Sequence, residues 1–128
     1  MSGVVVDTSV WINFLAGHPI PGLEEALARG VVVLAPIVVA ELISGARHPR
    51  DRAAIGDLLA ELEIHQTPID HWIRVGELRR RLGDRGIAVS TPDAHVAQCA
   101  LDRDAILLSA DAIFFRVRRH SKLKLGEH

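Results

Sequence analysis

A chain of 128 residues that is 48 % apolar is long enough to bury a core without disulfides, and its formal net charge of −1 points to no particular partner. With only 4 % aromatics the core must be built of Val, Leu, Ile and Ala, a composition suited to parallel strands covered by helices. The lone cysteine, Cys99, excludes an internal disulfide and fits a reducing compartment. No basic segment followed by an apolar stretch opens the chain, so no signal peptide is expected. The longest apolar run, residues 31–40, is broken by Pro36 and is too short for a bilayer, so a cytoplasmic protein without a membrane partner is expected.

In chain order, Val4-Val5-Val6 is a short continuous β-branched run, the signature of a strand buried on both faces. Asp7 closes it, and Thr8 and Ser9 open an apolar helix through Val10, Trp11, Ile12 and Leu15. A turn with Gly17, Pro19 and Gly22 precedes a helix over about Leu23 to Arg29, which Gly30 ends. Residues 31–34 read as a second buried strand, and Pro36 starts a helix that carries Glu41 among Val38, Val39, Leu42 and Ile43. An acid in that company is costly unless paired or bound. Helical periodicity follows over Arg50 to Leu62, a short strand over Ile64 to Gln66, and a long helix from Ile69 to Leu82. Thr91-Pro92-Asp93 reads as a helix start with Thr91 as cap, and that helix runs to about Asp102. Residues 105–108 form a further buried strand, followed by Ser109-Ala110-Asp111 and a short helix with Phe114 and Phe115. A last strand near Leu123 to Leu125 is weakly signalled. There is no internal repeat or linker, and the alternation of strands and helices predicts one three-layer α/β domain over residues 1–128 with a mainly parallel sheet.

That topology constrains the acids. Asp7 and Asp111 each follow an apolar strand and therefore lie at the carboxyl edge of the sheet, where ligands bind in open α/β folds. Asp93 starts a helix that leads into the strand at residue 105, so it returns to the same edge. Glu41 lies in the second turn of its helix, within roughly 8 Å of the helix start. On its own Asp7 is equally a helix cap, and only the other three acids argue for a site. Two carboxylates about 4 Å apart repel by roughly 4 kcal/mol at an effective dielectric near 20. A divalent cation removes that cost, and oxygen donors select Mg2+ or Mn2+ over zinc. The histidines and Cys99 show no zinc spacing. His95 lies about 200° round the helix from Asp93, away from any shared site.

Four motifs in order, Val-Val-Asp-Thr-Ser around Asp7, Pro-Ile-Val-Val-Ala-Glu-Leu around Glu41, Thr-Pro-Asp-Ala-His-Val-Ala around Asp93 and Leu-Leu-Ser-Ala-Asp around Asp111, resemble a PIN domain. In size the chain is similar to the VapC-type toxins of bacterial toxin–antitoxin pairs. The resemblance implies a metal-dependent ribonuclease in which Asp7, Glu41, Asp93 and Asp111 hold Mg2+ or Mn2+ for hydrolysis of an RNA phosphodiester. Thr8, Ser9 and Ser109 take the family's supporting hydroxyl places. It also implies a small VapB-like antitoxin covering the site, and a homodimer. Ile113 stands where many relatives carry a further acid, which favours single-ion chemistry. An acidic site repels RNA, so basic residues elsewhere must attract it. Arg79, Arg80, Arg81 and Arg85 are the candidates, with the tail of Arg116, Arg118, Arg119, Lys122 and Lys124 behind them. Trp11 and Phe14 are candidate walls of a docking groove, although core packing suits at least one of them. Two other readings remain: a PIN-like module that binds a partner without cutting, and a phospho-aspartate domain of the receiver or phosphatase kind. The second fits poorly, because Val6 and Ser9 stand where such domains carry another acid.

Overall fold

The computed structural model describes residues 3–128. Five short strands form one fully parallel sheet in the order β3-β2-β1-β4-β5. The elements are β1 (Val4–Val6), α1 (Thr8–Leu15), α2 (Pro21–Ala28), β2 (Val32–Leu34), α3 (Pro36–Gly45) and α4 (Pro49–Glu61). After them come β3 (Glu63–Ile64), α5 (Ile69–Asp84), α6 (Thr91–Arg103), β4 (Ile106–Leu108), α7 (Ile113–Arg119) and β5 (Lys124–Leu125).

The valine strand is central. Val4 and Val5 pair with Val32 and Val33 on one side, while Val4, Val5 and Val6 pair with Ile106, Leu107 and Leu108 on the other. Val5, Val6 and Leu107 are fully buried, and each such side chain contributes about 1.5–3 kcal/mol through the water it sheds. Helices pack on the sheet to give the expected α/β sandwich, with α6 against both β1 and β4 and α2 against β2. Among the described residues no helix is long and apolar enough to cross a membrane.

The chain lays down β1, β2 and β3 in one direction, then crosses through α5 and α6 to add β4 on the far side of β1. The order of strands therefore reverses at the β1–β4 pair. Loops leaving those two strands diverge and open a crevice at the carboxyl edge. The order also differs from the 2-1-3-4-5 of receiver-type sheets, which removes the receiver form of the phospho-aspartate alternative.

Two local expectations need correction. Ser90, not Thr91, caps α6: its hydroxyl accepts from the Asp93 N–H at 3.2 Å, which places Thr91 and Pro92 inside the first turn. The third strand is Glu63–Ile64, one residue earlier than the apolar pattern suggested, because it pairs with Val33 and Leu34. The weakly signalled last strand is present as β5, parallel to β4.

Candidate active site

Asp7 follows directly on β1 and occupies the N-cap position of α1, yet its side chain makes no capping bond. Its Oδ2 instead accepts from the Ser9 hydroxyl at 3.2 Å and the Ser109 hydroxyl at 2.8 Å. The cap reading of this carboxylate therefore fails. Asp7 is only 7 % exposed, so two hydroxyl donors compensate much of the water it has lost.

The loop after β4 is tied to the loop after β1 by the same serines. Ser109 Oγ accepts from the Asp111 N–H at 3.0 Å, and Ser9 Oγ accepts from the Ala110 N–H at 3.2 Å. Asp111 is exposed, and its Oδ1 accepts from the Ile113 N–H at 3.0 Å, a local turn that starts α7. Thr8 Oγ1 donates to Glu41 Oε1 at 2.8 Å, joining α1 to α3. Glu41 itself is exposed, so the burial cost expected from its apolar neighbours does not arise: Val38 and Leu42 face inward, whereas Ile43, 47 % exposed, lies on the outer side with it.

Asp93 completes the group from the first turn of α6. Burial raises its carboxyl above the ordinary carboxylate range, and the charges of Asp7, Asp111 and Glu41 push the same way against the Ser90 hydrogen bond. The fold thus brings Asp7, Glu41, Asp93 and Asp111 together at one edge, with Thr8, Ser9 and Ser109 between them. Carboxylate oxygens and hydroxyls make a hard donor set, suited to Mg2+ or Mn2+ rather than to a softer metal.

The arginines lie elsewhere. Arg79 Nε donates to the Val89 carbonyl at 2.8 Å, and Arg80 lies 4.0 Å from Asp84. Arg81 and Arg85 line a cavity with Arg119 and His120, while Arg81 also lines a neighbouring one with Ala105, Lys122 and Leu123. Ala105 and Leu123 immediately precede β4 and β5, so this basic cleft lies beside the amino ends of the strands, opposite the acids. Neither cluster alone revealed that meeting; it needs Arg81 of α5 to line the same cavities as the segment from Arg119 to Leu123. Trp11 is fully buried and belongs to the core, while Phe14 is half-buried against it at 6.0 Å between ring centres. The neighbouring groove, about 250 Å³, is instead lined by Ile12, Leu15, Leu42 and Ile55, with Glu41 at its rim.

One group of residues had no sequence signal. His71 and His95 are both fully buried, with His71 Nε2 2.8 Å from His95 Nδ1 and His71 Nδ1 2.9 Å from Asp102. Arg74 holds Asp102 through two bonds of 2.9 Å, and Gln98 adds a third of 2.8 Å. Burial alone raises the Asp102 carboxyl, but the Arg74, Gln98 and His71 hydrogen bonds outweigh it and hold it down at about 2. Burial, with His71 and His65 nearby, pushes His95 down to about 4. Although no zinc spacing is legible in the sequence, His65, His71 and Cys99 offer ligand atoms within 4.8 Å of one another. Both ring nitrogens of His71 are already hydrogen-bonded, and burial pushes the Cys99 thiol up to about 12, so this cluster reads as a hydrogen-bonded chain. His95 therefore does point away from the acids, as its helical position requires.

Comparison with known proteins places this geometry. No curated protein sequence matches the chain. Among solved structures it is similar to a chain of VapBC from Salmonella typhimurium bound to DNA, with TM-score 0.82, 22 % identity and 98 % of each chain covered. It is similar to a chain of VapBC2 from Rickettsia felis bound to a promoter DNA fragment, with TM-score 0.80, 24 % identity and 98 % of each covered. A third is VapBC-5 from Mycobacterium tuberculosis, a member of the VapBC family of toxin-antitoxin systems, with TM-score 0.73, 21 % identity, and 99 % of this chain and 98 % of that one covered. At these identities the likeness establishes the fold. The PIN domain family model matches residues 4–120, nearly the whole length, and the chain belongs to the PIN-domain family.

Proposed function

We propose that this chain is a metal-dependent endoribonuclease, one nuclease domain over residues 1–128, and the toxin of a type II toxin–antitoxin pair. The observation that carries the reading is the convergence on Asp93: burial raises its carboxyl first, and three other carboxylates, from α3 and from the loops after β1 and β4, lie near enough to add to that rise. Such an arrangement is self-repelling unless a cation neutralises it.

Asp7 and Asp93 are the primary ligands, because each sits at the end of an element where its direction is fixed. Glu41 and Asp111 complete the set directly or through water, and Ile113 leaves no acid for a second strong site. A bound Mg2+ or Mn2+ supplies Lewis acidity, a more acidic water and neutralisation of charge on the leaving oxygen. Ser109 and Ser9 hold the Asp7 carboxylate in one rotamer, and Thr8 does the same for Glu41. Asp111, exposed at the rim, orients the attacking water in line with the phosphorus.

The partner reading rests on the VapBC neighbours and on the apolar groove beside Glu41, which suits an amphipathic antitoxin segment lying over the acids. A second copy of the chain is the other proposed partner. Cytoplasmic RNA is the proposed substrate.

The test is incubation of the purified chain with a pool of structured RNAs, with Mn2+ or Mg2+ and with chelator. Cleavage should require the metal and disappear in Asp7→Asn and Asp93→Asn, with circular dichroism unchanged. Cleavage that persists in chelator, or survives both substitutions, rejects the reading.

A further inference from the structure

Helix α3 begins without a cap of its own. Its N-cap residue is Ala35, with no side-chain acceptor, and Pro36 follows at the first helical position without an N–H. The Ile37 N–H is therefore the first donor of the helix, one of those that no residue within the helix can satisfy. Its partner is His95 Nε2, at 3.4 Å and 58 residues away, on α6.

This contact fixes the proton positions along the buried chain. An N–H only donates, so His95 Nε2 accepts, and the Cys99 thiol 3.7 Å away faces the same nitrogen. The proton of His95 is then on Nδ1 and is donated to His71 Nε2; His71 in turn donates from Nδ1 to Asp102. Trp72 stacks on the His95 ring at 4.6 Å between centres and 9° between planes. The ring is held through both nitrogens and one face, and it is fully buried. Such a ring has one available orientation.

Its place in the fold gives that orientation a consequence. Ile37 and Glu41 are four residues apart on α3 and share a face. Asp93 and His95 are two apart on α6. The His95–Ile37 contact thus ties the helix that carries Glu41 to the helix that carries Asp93. We propose that His95 is a positioning residue: held by His71, Asp102 and Trp72, it caps α3 from α6 and sets the separation of Glu41 from Asp93 at which both grip one cation. This rests on the metal-dependent reading above.

The test titrates Mn2+ alone, without RNA, into the full-length protein and measures its Kd by calorimetry. His95→Leu should weaken Mn2+ about tenfold, the lower end of what loss of a supporting partner costs a metal site. His95→Gln, whose amide oxygen can accept from Ile37, should recover most of that loss. A double-mutant cycle separates positioning from general loosening. In a Glu41→Gln background His95→Leu should add nothing, whereas in an Asp111→Asn background it should add its full factor. If His95→Leu fails to fold, Trp72→Leu takes its place in the cycle, with a smaller rise in Kd that again vanishes in Glu41→Gln. An unchanged Kd in His95→Leu, or an effect that persists in Glu41→Gln, overturns the proposal while the metal site stands. Wild-type protein that binds no Mn2+ overturns the metal reading, and this proposal with it.

Discussion

At the scale of single residues, Asp93 is where the competing roles separate. Its carboxyl is raised by burial and then by Asp7, Asp111 and Glu41. A folded pKa above the unfolded one gives stability that is complete below the unfolded value, 3.8, and is lost as pH rises through the folded value. Metal-free protein at neutral pH has therefore lost this contribution. Asp93→Asn removes one charge of the group and retains the backbone N–H that Ser90 caps. Its apo melting temperature is expected to rise by a few degrees, and the rise on adding Mn2+ to shrink in the same variant. In the wild type that rise follows mass action, about 2.7 kcal/mol at a hundred times Kd. A fall in apo stability with an intact response to Mn2+ would make Asp93 a structural residue and not a ligand.

At the scale of elements, α5 and α6 carry a polar network in addition to the apolar residues each buries, Val75, Leu78 and Leu82 on one and Ala97 and Ala100 on the other. Asp102 is its centre, accepting from Arg74, Gln98 and His71. Those bonds hold its carboxyl at about 2, below the unfolded value. The sign is opposite to that of Asp93. The contribution is complete above about pH 4 and is lost as pH falls through the folded value. After discounting for the water that still reaches this carboxylate, it amounts to roughly 1 kcal/mol. Asp102→Asn should thus melt a few degrees below wild type by a constant margin from pH 7 to pH 5. That margin should close between pH 4 and pH 2. A margin independent of pH down to 2 would show that the carboxylate charge contributes nothing to the junction.

At the scale of the whole molecule, charge is divided between the two edges of the sheet although the net charge is −1. Acids gather beyond the carboxyl ends of β1 and β4, while Arg81, Arg85, Arg119 and Lys122, outnumbering Asp84 and Asp104 in the same cavities, gather beside the amino ends of β4 and β5. Lys124 is engaged by Asp104 at 2.7 Å and contributes less to that field. A long polyanion bound at the acidic edge can place a second segment of its backbone on the basic one. Arg81→Glu with Arg119→Glu is expected to weaken RNA binding in the Asp7→Asn background and to lower its salt dependence by about two phosphate contacts. Affinity for Mn2+ should not change. Equal RNA affinity in parent and variant, measured by titration at two salt concentrations, would free the cleft from any role in substrate binding.

The sequence by itself determined the sheet and its acidic edge. Three consecutive valines signal a strand with both faces covered, as Val5 and Val6 are, a carboxylate after such a strand emerges at the strand's end, and parallel connections return helix starts to that end. Those are local rules combined with one topological rule, and they located Asp7, Glu41, Asp93 and Asp111 without coordinates. What depends on contacts between distant segments was decided by the tertiary structure. Whether the Asp7 carboxylate serves as a cap depends on Ser109, 102 residues away. Whether Glu41 is buried depends on how α3 is rotated about its axis, and an apolar helix of this kind has no sharp polar face to reveal it. The chain of His71, His95 and Asp102 has no motif, because its members meet only through the crossing of α5 and α6. Its last link, to Ile37, is made to a backbone N–H, which carries no sequence identity at all.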